Sequence, residues 1–155
     1  MAEHRKLHFE TFSDAMAAAE RVTQNPTTTS GAYEVGQILE HLARVLDVVT
    51  GERPEPSVPA PLRWVGRLVR PFLLGRPLKP GFKLPKKIQT AFWPEESVPT
   101  EVAWAHLQEA AERFQTVEPL PRHPFFGKMN RPQHETLQCR HFELHLGFIH
   151  PRANR

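Results

Sequence analysis

The stretch CRHFELHLGF, residues 139–148, carries two histidines four residues apart. If the stretch is helical, His141 and His145 lie one turn apart, on the same side as Leu144 and Phe148. Side chains at this spacing have Cβ atoms about 5–6 Å apart, so both imidazoles can bind one ion at roughly 2.0–2.1 Å from each nitrogen. The pair therefore indicates two ligands of a transition-metal site.

A third ligand must come from another helix, and His41 is the best candidate. It is the only histidine in a second predicted helix, where it borders the apolar stripe between Ile38 and Val45. Three neutral imidazoles would leave a divalent ion its full charge and at least one open position for water or substrate. We therefore predict a metal site formed by His41, His141 and His145, for zinc, nickel or iron, all of which accept imidazole ligands.

The spacing of the pair also has a simpler explanation, since the chain contains nine histidines. His4 and His8 are four residues apart too, in a segment with no helical pattern. What favours metal binding is that His141 and His145 fall on the same arc, about 100° wide, as the apolar residues of their helix. Imidazoles that are buried in this way need polar partners.

The remaining histidines are weaker candidates. His134, two turns before His141, is either a fourth ligand or a partly exposed side chain near the start of the helix. His106 lies off the apolar stripe of its helix and is expected to be solvated. His123 and His150 adjoin prolines in predicted loops.

Three further side chains could take part in chemistry. Gln37 and Gln138, near the predicted ligands in the sequence, could orient a water or an imidazole, or could be ordinary solvated glutamines. Cys139 points about 100° or more away from both histidines of its helix, which favours a structural role over that of a nucleophile. The sequence indicates no general base.

Four segments have the apolar periodicity of helices. Gly51 is a natural C-terminal cap for the second, Thr100 is the predicted N-cap of the third, and Asn130 with Gln133 predicts a capping box for the fourth. The stretch KLHFE, residues 6–10, could be a short extended segment. The predicted helices cover residues 13–22, 34–50, 100–117 and 130–148.

Residues 52–99, between the second and third predicted helices, hold ten of the sixteen prolines. This density argues against a long regular element, so only a short amphipathic helix over residues 62–69 and a following extended stretch are predicted. Residues 61–90 carry eight lysines and arginines and no acidic residue, a charge that attracts anions. Aromatic residues such as Trp64 and Phe92 favour docking over disorder; a lid and a solvated arm are both open.

Length and composition indicate a single cytoplasmic domain over residues 1–155. A chain of this length can bury a core without disulfides, and a single cysteine forms none internally. The start, MAEHRKLHFE, lacks the apolar region of a secretory signal, and no apolar run reaches the roughly 20 residues that span a bilayer. A P-loop, a dinucleotide-binding glycine pattern and a Gly-x-Ser-x-Gly motif do not occur, which excludes several common enzyme classes.

Four motifs in order, GQILEHLARVLD, GFKLPK, HPFFGKMNRPQ and RHFELHL, resemble a branch of the DinB/YfiT-like superfamily that is catalogued as a domain of unknown function. The resemblance implies an all-α fold, a four-helix bundle in which residues 52–99 are a long proline-rich basic insertion between helices 2 and 3. It also implies a metal site with one histidine from the second helix and a His-x-x-x-His pair from the fourth. These positions match His41, His141 and His145. Better-characterised members of the superfamily are thiol-dependent transferases or isomerases.

Two functions are consistent with these features. In the first, a metal-dependent enzyme of the thiol-dependent transferase or hydrolase type activates a water or thiol at the three-histidine site. Its partners would be a small-molecule substrate and an anionic thiol cosubstrate that the basic insertion holds. In the alternative, a non-catalytic binding module uses the basic amphipathic insertion to contact anionic lipid or a protein partner. Nucleic acid is not expected, because no recognition helix accompanies the charge, and a homodimer is left open.

Overall fold

The structure, a computed structural model, describes residues 3–152. Residues 1–2 and 153–155, the ends of the domain expected from the sequence, lie outside the described part. Within it the chain is mainly helical, as predicted, with one small antiparallel sheet. The helices are α1 (Phe12–Gln24), α2 (Val35–Thr50), α3 (Ala60–Gly75), α4 (Lys86–Phe92), α5 (Thr100–Thr116) and α6 (Arg131–Leu146), and the strands are β1 (Thr27–Thr29) and β2 (Ile149–Pro151).

Local sequence signals explain where the long helices begin and end. At the start of α6 the Asn130 side chain accepts a hydrogen bond from the Gln133 N–H at 2.9 Å, and the Gln133 side chain accepts one from the Asn130 N–H at 3.0 Å. This is the predicted capping box. Gly51 ends α2 in the left-handed region, with φ 84°. The predicted cap of α5 is wrong by one residue, since Pro99 is the N-cap and Thr100 is the first helical residue.

The proline-rich segment is more regular than predicted. Instead of a short helix over residues 62–69, α3 runs for 16 residues. Pro61 is tolerated because it lies in the first turn, where its missing N–H needs no partner. Pro71 removes one main-chain hydrogen bond, but it lies in an exposed stretch where the freed carbonyl is accessible to solvent. Helix α4 is absent from the prediction, because seven residues are too few to reveal an apolar period.

The two strands are also absent from the prediction. β1 pairs with β2 in antiparallel register, with Thr28 opposite His150. Strands of three residues are too short to reveal an alternation of apolar and polar side chains, so the sequence gives no local sign of them. The stretch KLHFE forms no strand, and it is fixed to α6 instead by Phe9, whose N–H donates to the Glu143 carboxylate at 2.9 Å.

The main core lies between α1, α2, α5 and α6. Helix α2 packs along α5 and against α6, and α1 packs against α5 and α6. Burying one large apolar side chain contributes about 1.5–3 kcal/mol to folding. The packing sets α2 and α6 side by side, so the histidines of the two helices come close together. Fully buried side chains of this core include Leu39, Leu42, Leu107, Phe114 and Phe142.

A smaller apolar cluster docks the proline-rich segment onto α2. Val58, Ile88 and Phe92 are buried against Val48. Docking through aromatic residues therefore occurs at Phe92, whereas Trp64 on α3 is 75% exposed. Over residues 3–152, each helix is too short or too polar to cross a lipid bilayer.

A charged network joins α2 to α5 and corrects the expectation for His106. The ring of His106 is only partly exposed, and it binds the Glu40 carboxylate through Nδ1 at 2.8 Å and the Asp47 carboxylate through Nε2 at 2.6 Å. Asp47 also accepts a hydrogen bond from Arg113 at 3.0 Å. Burial alone would lower the pKa of His106, but the hydrogen bonds to the two carboxylates outweigh it and raise the pKa. His106 lies off the apolar stripe because acidic residues of α2, rather than solvent, are its partners.

Candidate metal centre

Helices α2 and α6 bring the three predicted ligands together. The Nε2 atom of His41 is 3.0 Å from Nε2 of His141 and 3.1 Å from Nε2 of His145. One ring nitrogen from each histidine lies within 4.8 Å of the other two. The one-turn spacing along α6 and the packing of α6 against α2 together produce this convergence.

Burial keeps the three rings neutral. His41 is 5% exposed, and His141 and His145 are half-buried. Burial lowers the pKa of His41 well below 6.5, and the neighbouring His141 lowers it further. Burial also lowers the pKa of His141 to about 4 and the pKa of His145 well below 6.5. At pH 7 each ring therefore has one nitrogen lone pair that an ion can bind.

The proline-rich segment orients the His41 ring. Nδ1 of His41 lies 3.2 Å from the carbonyl oxygen of Phe92, which can only accept, so Nδ1 carries the proton and Nε2 carries the lone pair. The Trp93 indole stacks on the His41 ring, with centroids 3.8 Å apart and an angle of 3° between the planes. The Tyr33 ring in turn stacks on the Trp93 indole, with ring centroids 3.9 Å apart. Sequence reasoning missed these contacts, although the aromatic residues of the segment did indicate docking.

The three nitrogens are better placed to bind one cation than to form hydrogen bonds among themselves. Because the proton of His41 is used at Nδ1, its Nε2 can accept a hydrogen bond from His141 or from His145, but not from both. Two nitrogens at about 2.1 Å from one ion, and about 90–110° apart as seen from it, are about 3.0–3.4 Å from each other. The Nε2 separations of 3.0 and 3.1 Å lie in that range. The three histidines could therefore hold a metal ion.

His134 and His123 lie outside this group and are more buried than expected. His134 is 1% exposed, and neither of its ring nitrogens has a hydrogen-bond partner among the described residues. Its ring centroid is 6.4 Å from that of His123. A partly exposed position for His134 is thus wrong, because the loop that carries His123 packs over the first turns of α6. His150, expected in a loop, lies in β2, where its Nε2 is 2.9 Å from the Ser30 hydroxyl.

The two glutamines are neither solvated nor bonded to the histidines in the described structure. Gln37 accepts a hydrogen bond from the Glu34 N–H at 3.0 Å and donates to the Pro94 carbonyl at 3.4 Å, so it caps α2. Gln138 is 1% exposed, and its Oε1 has no partner within residues 3–152. Cys139 is buried in the core, and this burial raises the pKa of its thiol to about 11. The thiol is therefore protonated at neutral pH, in agreement with a structural role.

Comparison with known proteins identifies a family whose function is unknown. The family model described as "Protein of unknown function (DUF1569)" matches residues 1–152. Neither the curated proteins nor the solved structures contain a match. The family match includes the proline-rich segment and all three histidines of the candidate centre. The chain belongs to the DUF1569 family.

Proposed function

We propose that this chain is a metal-dependent enzyme with a DinB/YfiT-like fold. In this proposal α1, α2, α5 and α6 are the helices of a four-helix bundle, and residues 52–99 are an insertion between its second and third helices. The whole chain then forms one domain. The packing of α1 and α2 against α5 and α6 supports the bundle, and the order of the four sequence motifs supports the relationship.

The observation that carries the proposal is the convergence of three neutral imidazoles at one point. His41, His141 and His145 point their Nε2 atoms at each other over distances that suit a shared cation. The structure offers no carboxylate as a hydrogen-bond partner to any of the three rings within residues 3–152. Buried imidazoles that face each other without such a partner are better explained as ligands than as core residues.

The chain's own residues determine how the ligands are presented. The Phe92 carbonyl holds the proton of His41 at Nδ1, and Trp93 fixes the plane of the ring. The backbone of α6 holds His141 and His145 one turn apart, and both side chains are only partly buried. A divalent ion bound there would lower the pKa of a water or thiol, so that a nucleophile exists near neutral pH.

The proposed reaction is of the thiol-dependent transferase or hydrolase type. The positive charge of residues 61–90 favours an anionic thiol cosubstrate, because α3 and α4 of this segment pack against the two helices that carry the histidines. Metal-loaded protein can be screened with thiols and electrophiles, and separately with simple esters and amides. We expect turnover with one of these classes, and its loss in His145→Ala.

Metal content is the direct test of the site. Protein purified without an affinity tag should contain about one zinc, nickel or iron ion per chain by elemental analysis, and His41→Ala and His145→Ala should lose it. His8→Ala is a matched control, since His8 belongs to the other pair with four-residue spacing and its side chain is 62% exposed. A folded wild-type protein that takes up no transition metal, or equal metal content in His145→Ala and wild type, would overturn the proposal.

A second candidate function is binding to an anionic lipid surface. Trp64, Leu68 and Phe72 follow each other at one-turn intervals on α3 and are 75%, 77% and 62% exposed. Phe82, in the connection between α3 and α4, is 78% exposed. Large apolar side chains flanked by arginines and lysines suit the interface of a negatively charged membrane, where apolar groups enter the bilayer and cations meet headgroups.

Co-sedimentation with vesicles tests this candidate. The protein should bind vesicles that contain phosphatidylserine more strongly than neutral vesicles, and salt should weaken the binding. Leu68→Ser with Phe72→Ser should abolish it. Val102→Ser is the control, because Val102 is also exposed, at 60%, but belongs to α5 and not to the basic residues 61–90. No binding to anionic vesicles would reject this function.

A further inference from the structure

A cavity of about 210 Å³ lies between α3 and the loop that precedes α6. Its lining includes Arg63 and Arg67 from α3, Arg122, His123 and Gly127 from the loop, and the acidic residue Glu55. Pockets that enclose a whole drug-sized ligand are usually about 300–1,000 Å³. A volume of this size suits the charged group of a ligand rather than all of a large molecule.

The lining carries an excess of positive charge. Three arginines face one acidic residue, Glu55, which leaves two net positive charges. Among the described residues, Arg63, Arg67 and Arg122 form no ion pair and no side-chain hydrogen bond. The arginines that do pair with carboxylates are Arg44, Arg113, Arg131 and Arg140. Guanidinium groups bind phosphate and carboxylate oxygens through pairs of parallel hydrogen bonds, so unpaired arginines around one cavity constitute a site for an anion.

The arginines of α3 are held in place over the loop. A Cβ atom at Gly66 would lie 2.3 Å from the Phe125 carbonyl oxygen, so α3 approaches the loop as closely as only glycine permits. Arg70, one turn after Gly66, donates hydrogen bonds to the Phe126 carbonyl at 3.1 Å and the Lys128 carbonyl at 2.8 Å. Arg63 and Arg67 are one turn apart and therefore project toward the same side of α3. These contacts fix the distance between α3 and the loop, which determines the width of the cavity.

The loop supplies a fixed hydrogen-bond donor as well. Its ends are joined by hydrogen bonds between the His123 and Gly127 backbones, at 2.9 and 3.0 Å. Nδ1 of His123 accepts hydrogen bonds from the N–H groups of Phe125 and Phe126, at 3.2 and 3.3 Å. Burial, together with the neighbouring His134 and His141, lowers the pKa of His123 to about 3. The ring is therefore neutral with its proton on Nε2, an N–H that is available to a ligand.

We propose that this cavity binds a dianionic phosphate group, held by Arg63, Arg67 and Arg122 and by the Nε2–H of His123. A phosphate monoester carries a charge near −2 at neutral pH, which matches the excess charge of the lining. Gly127, with φ 73°, lines the same cavity, and a side chain there would lie 3.1 Å from Nε of Arg67. The proposal deepens the proposed function, and it rests on that function only for the idea that the phosphate belongs to a substrate.

Calorimetric titration with inorganic phosphate tests the binding, on full-length protein that has been freed of metal with a chelator. Arg63→Gln with Arg67→Gln should weaken binding by about tenfold or more, since two charge-assisted contacts are lost. Arg76→Gln with Lys79→Gln is the matched control, because it removes the same charge from the same basic segment but outside the cavity. All four side chains are exposed, so both variants should fold, which circular dichroism can verify.

The phosphate group could belong to a free metabolite or to a lipid, and a second arm distinguishes these sources. Vesicles with phosphatidic acid are compared with glycerol phosphate in solution, again with the two double variants. Selective loss in Arg63→Gln with Arg67→Gln in either arm supports the site and identifies the source. Absence of phosphate binding, or an equal loss in the two double variants, overturns it. The titration uses metal-free protein, so its result is independent of the metal-content test. Phosphate binding by a protein that takes up no metal would contradict only the proposed function. Metal uptake by a protein that binds no phosphate would contradict only the cavity site.

Discussion

The imidazole of His41 and the indole of Trp93 lie face to face, with ring centroids 3.8 Å apart and an angle of 3° between the planes. His41 belongs to α2, whereas Trp93 follows α4 in the proline-rich segment. The segment therefore contributes to the orientation of one candidate ligand, although it supplies no ligand itself. Outer contacts of this kind fix the ring of a metal-binding histidine.

Removing this contact should weaken metal binding. We expect Trp93→Leu to raise the dissociation constant for the metal by about tenfold, because the His41 ring can then rotate away from His141 and His145. Competition with a chromogenic chelator measures this constant. Trp64→Leu, which removes a 75% exposed tryptophan from α3, should leave it unchanged. An equal constant in Trp93→Leu and wild type would mean that the stack does not position His41.

Acid should destabilise the metal-free protein. Burial lowers the pKa of His123 to about 3 and that of His141 to about 4, so the unfolded chain binds more protons than the folded chain below pH 6.5. Stability is therefore full above about pH 6.5 and falls as pH decreases toward 4, by about 1.4 kcal/mol per pH unit for each such histidine. Urea unfolding at several pH values measures this slope.

His123→Asn provides the control for the acid effect, because an asparagine oxygen can accept the hydrogen bonds that Nδ1 receives from the loop. The variant should have a slope smaller by about 1.4 kcal/mol per pH unit. An unchanged slope would mean that His123 is not neutral in the folded protein.

The contribution of His106 to stability should have the opposite pH dependence. Its folded pKa is raised by Glu40 and Asp47, which outweigh burial, so its contribution to stability is present below pH 6.5 and is lost as pH rises through the folded pKa. We expect His106→Gln to lower the free energy of unfolding by about 1–2 kcal/mol at pH 6 and by less at pH 9. His8→Gln, at a side chain that is 62% exposed, should have little effect at either pH. A loss at pH 9 as large as that at pH 6 would contradict this assignment.

Two glycines of α3 should respond differently to a methyl group. Gly66→Ala should destabilise the protein by about 1–3 kcal/mol, because its Cβ would lie 2.3 Å from the Phe125 carbonyl oxygen. Gly75→Ala places its Cβ where no atom lies within 4 Å, and it should be neutral or stabilising by up to about 1 kcal/mol. Thermal unfolding of both variants measures the difference. Equal stability would show that α3 is not docked on the loop.

The sequence predicts those parts of the molecule that depend on local patterns. The capping box of Asn130 and Gln133 and the glycine end of α2 each follow from residues a few positions apart. The grouping of His41 with the pair in α6 was also foreseeable, since apolar periodicity and the family resemblance indicate which sides of the two helices meet.

What the sequence does not predict depends on contacts between distant residues. The ion pairs of His106 with Glu40 and Asp47 span about sixty positions, and the pairing of β1 with β2 spans more than one hundred. The helix predicted over residues 62–69 is shorter than α3, because proline density argues against a long helix whereas the position of each proline permits one. The stacking of Trp93 on His41 requires the path of the whole proline-rich segment, which no local pattern encodes.

The apolar cluster of Val58, Ile88 and Phe92 on Val48 has a practical consequence for anyone who shortens this protein. A truncated version in which a brief linker joins α2 directly to α5 would uncover part of α2 and deprive His41 of both the Phe92 carbonyl and the Trp93 ring. Such a minimal chain should aggregate in solution and bind metal weakly. The proline-rich stretch is thus a fixed component of the architecture and not a removable appendage.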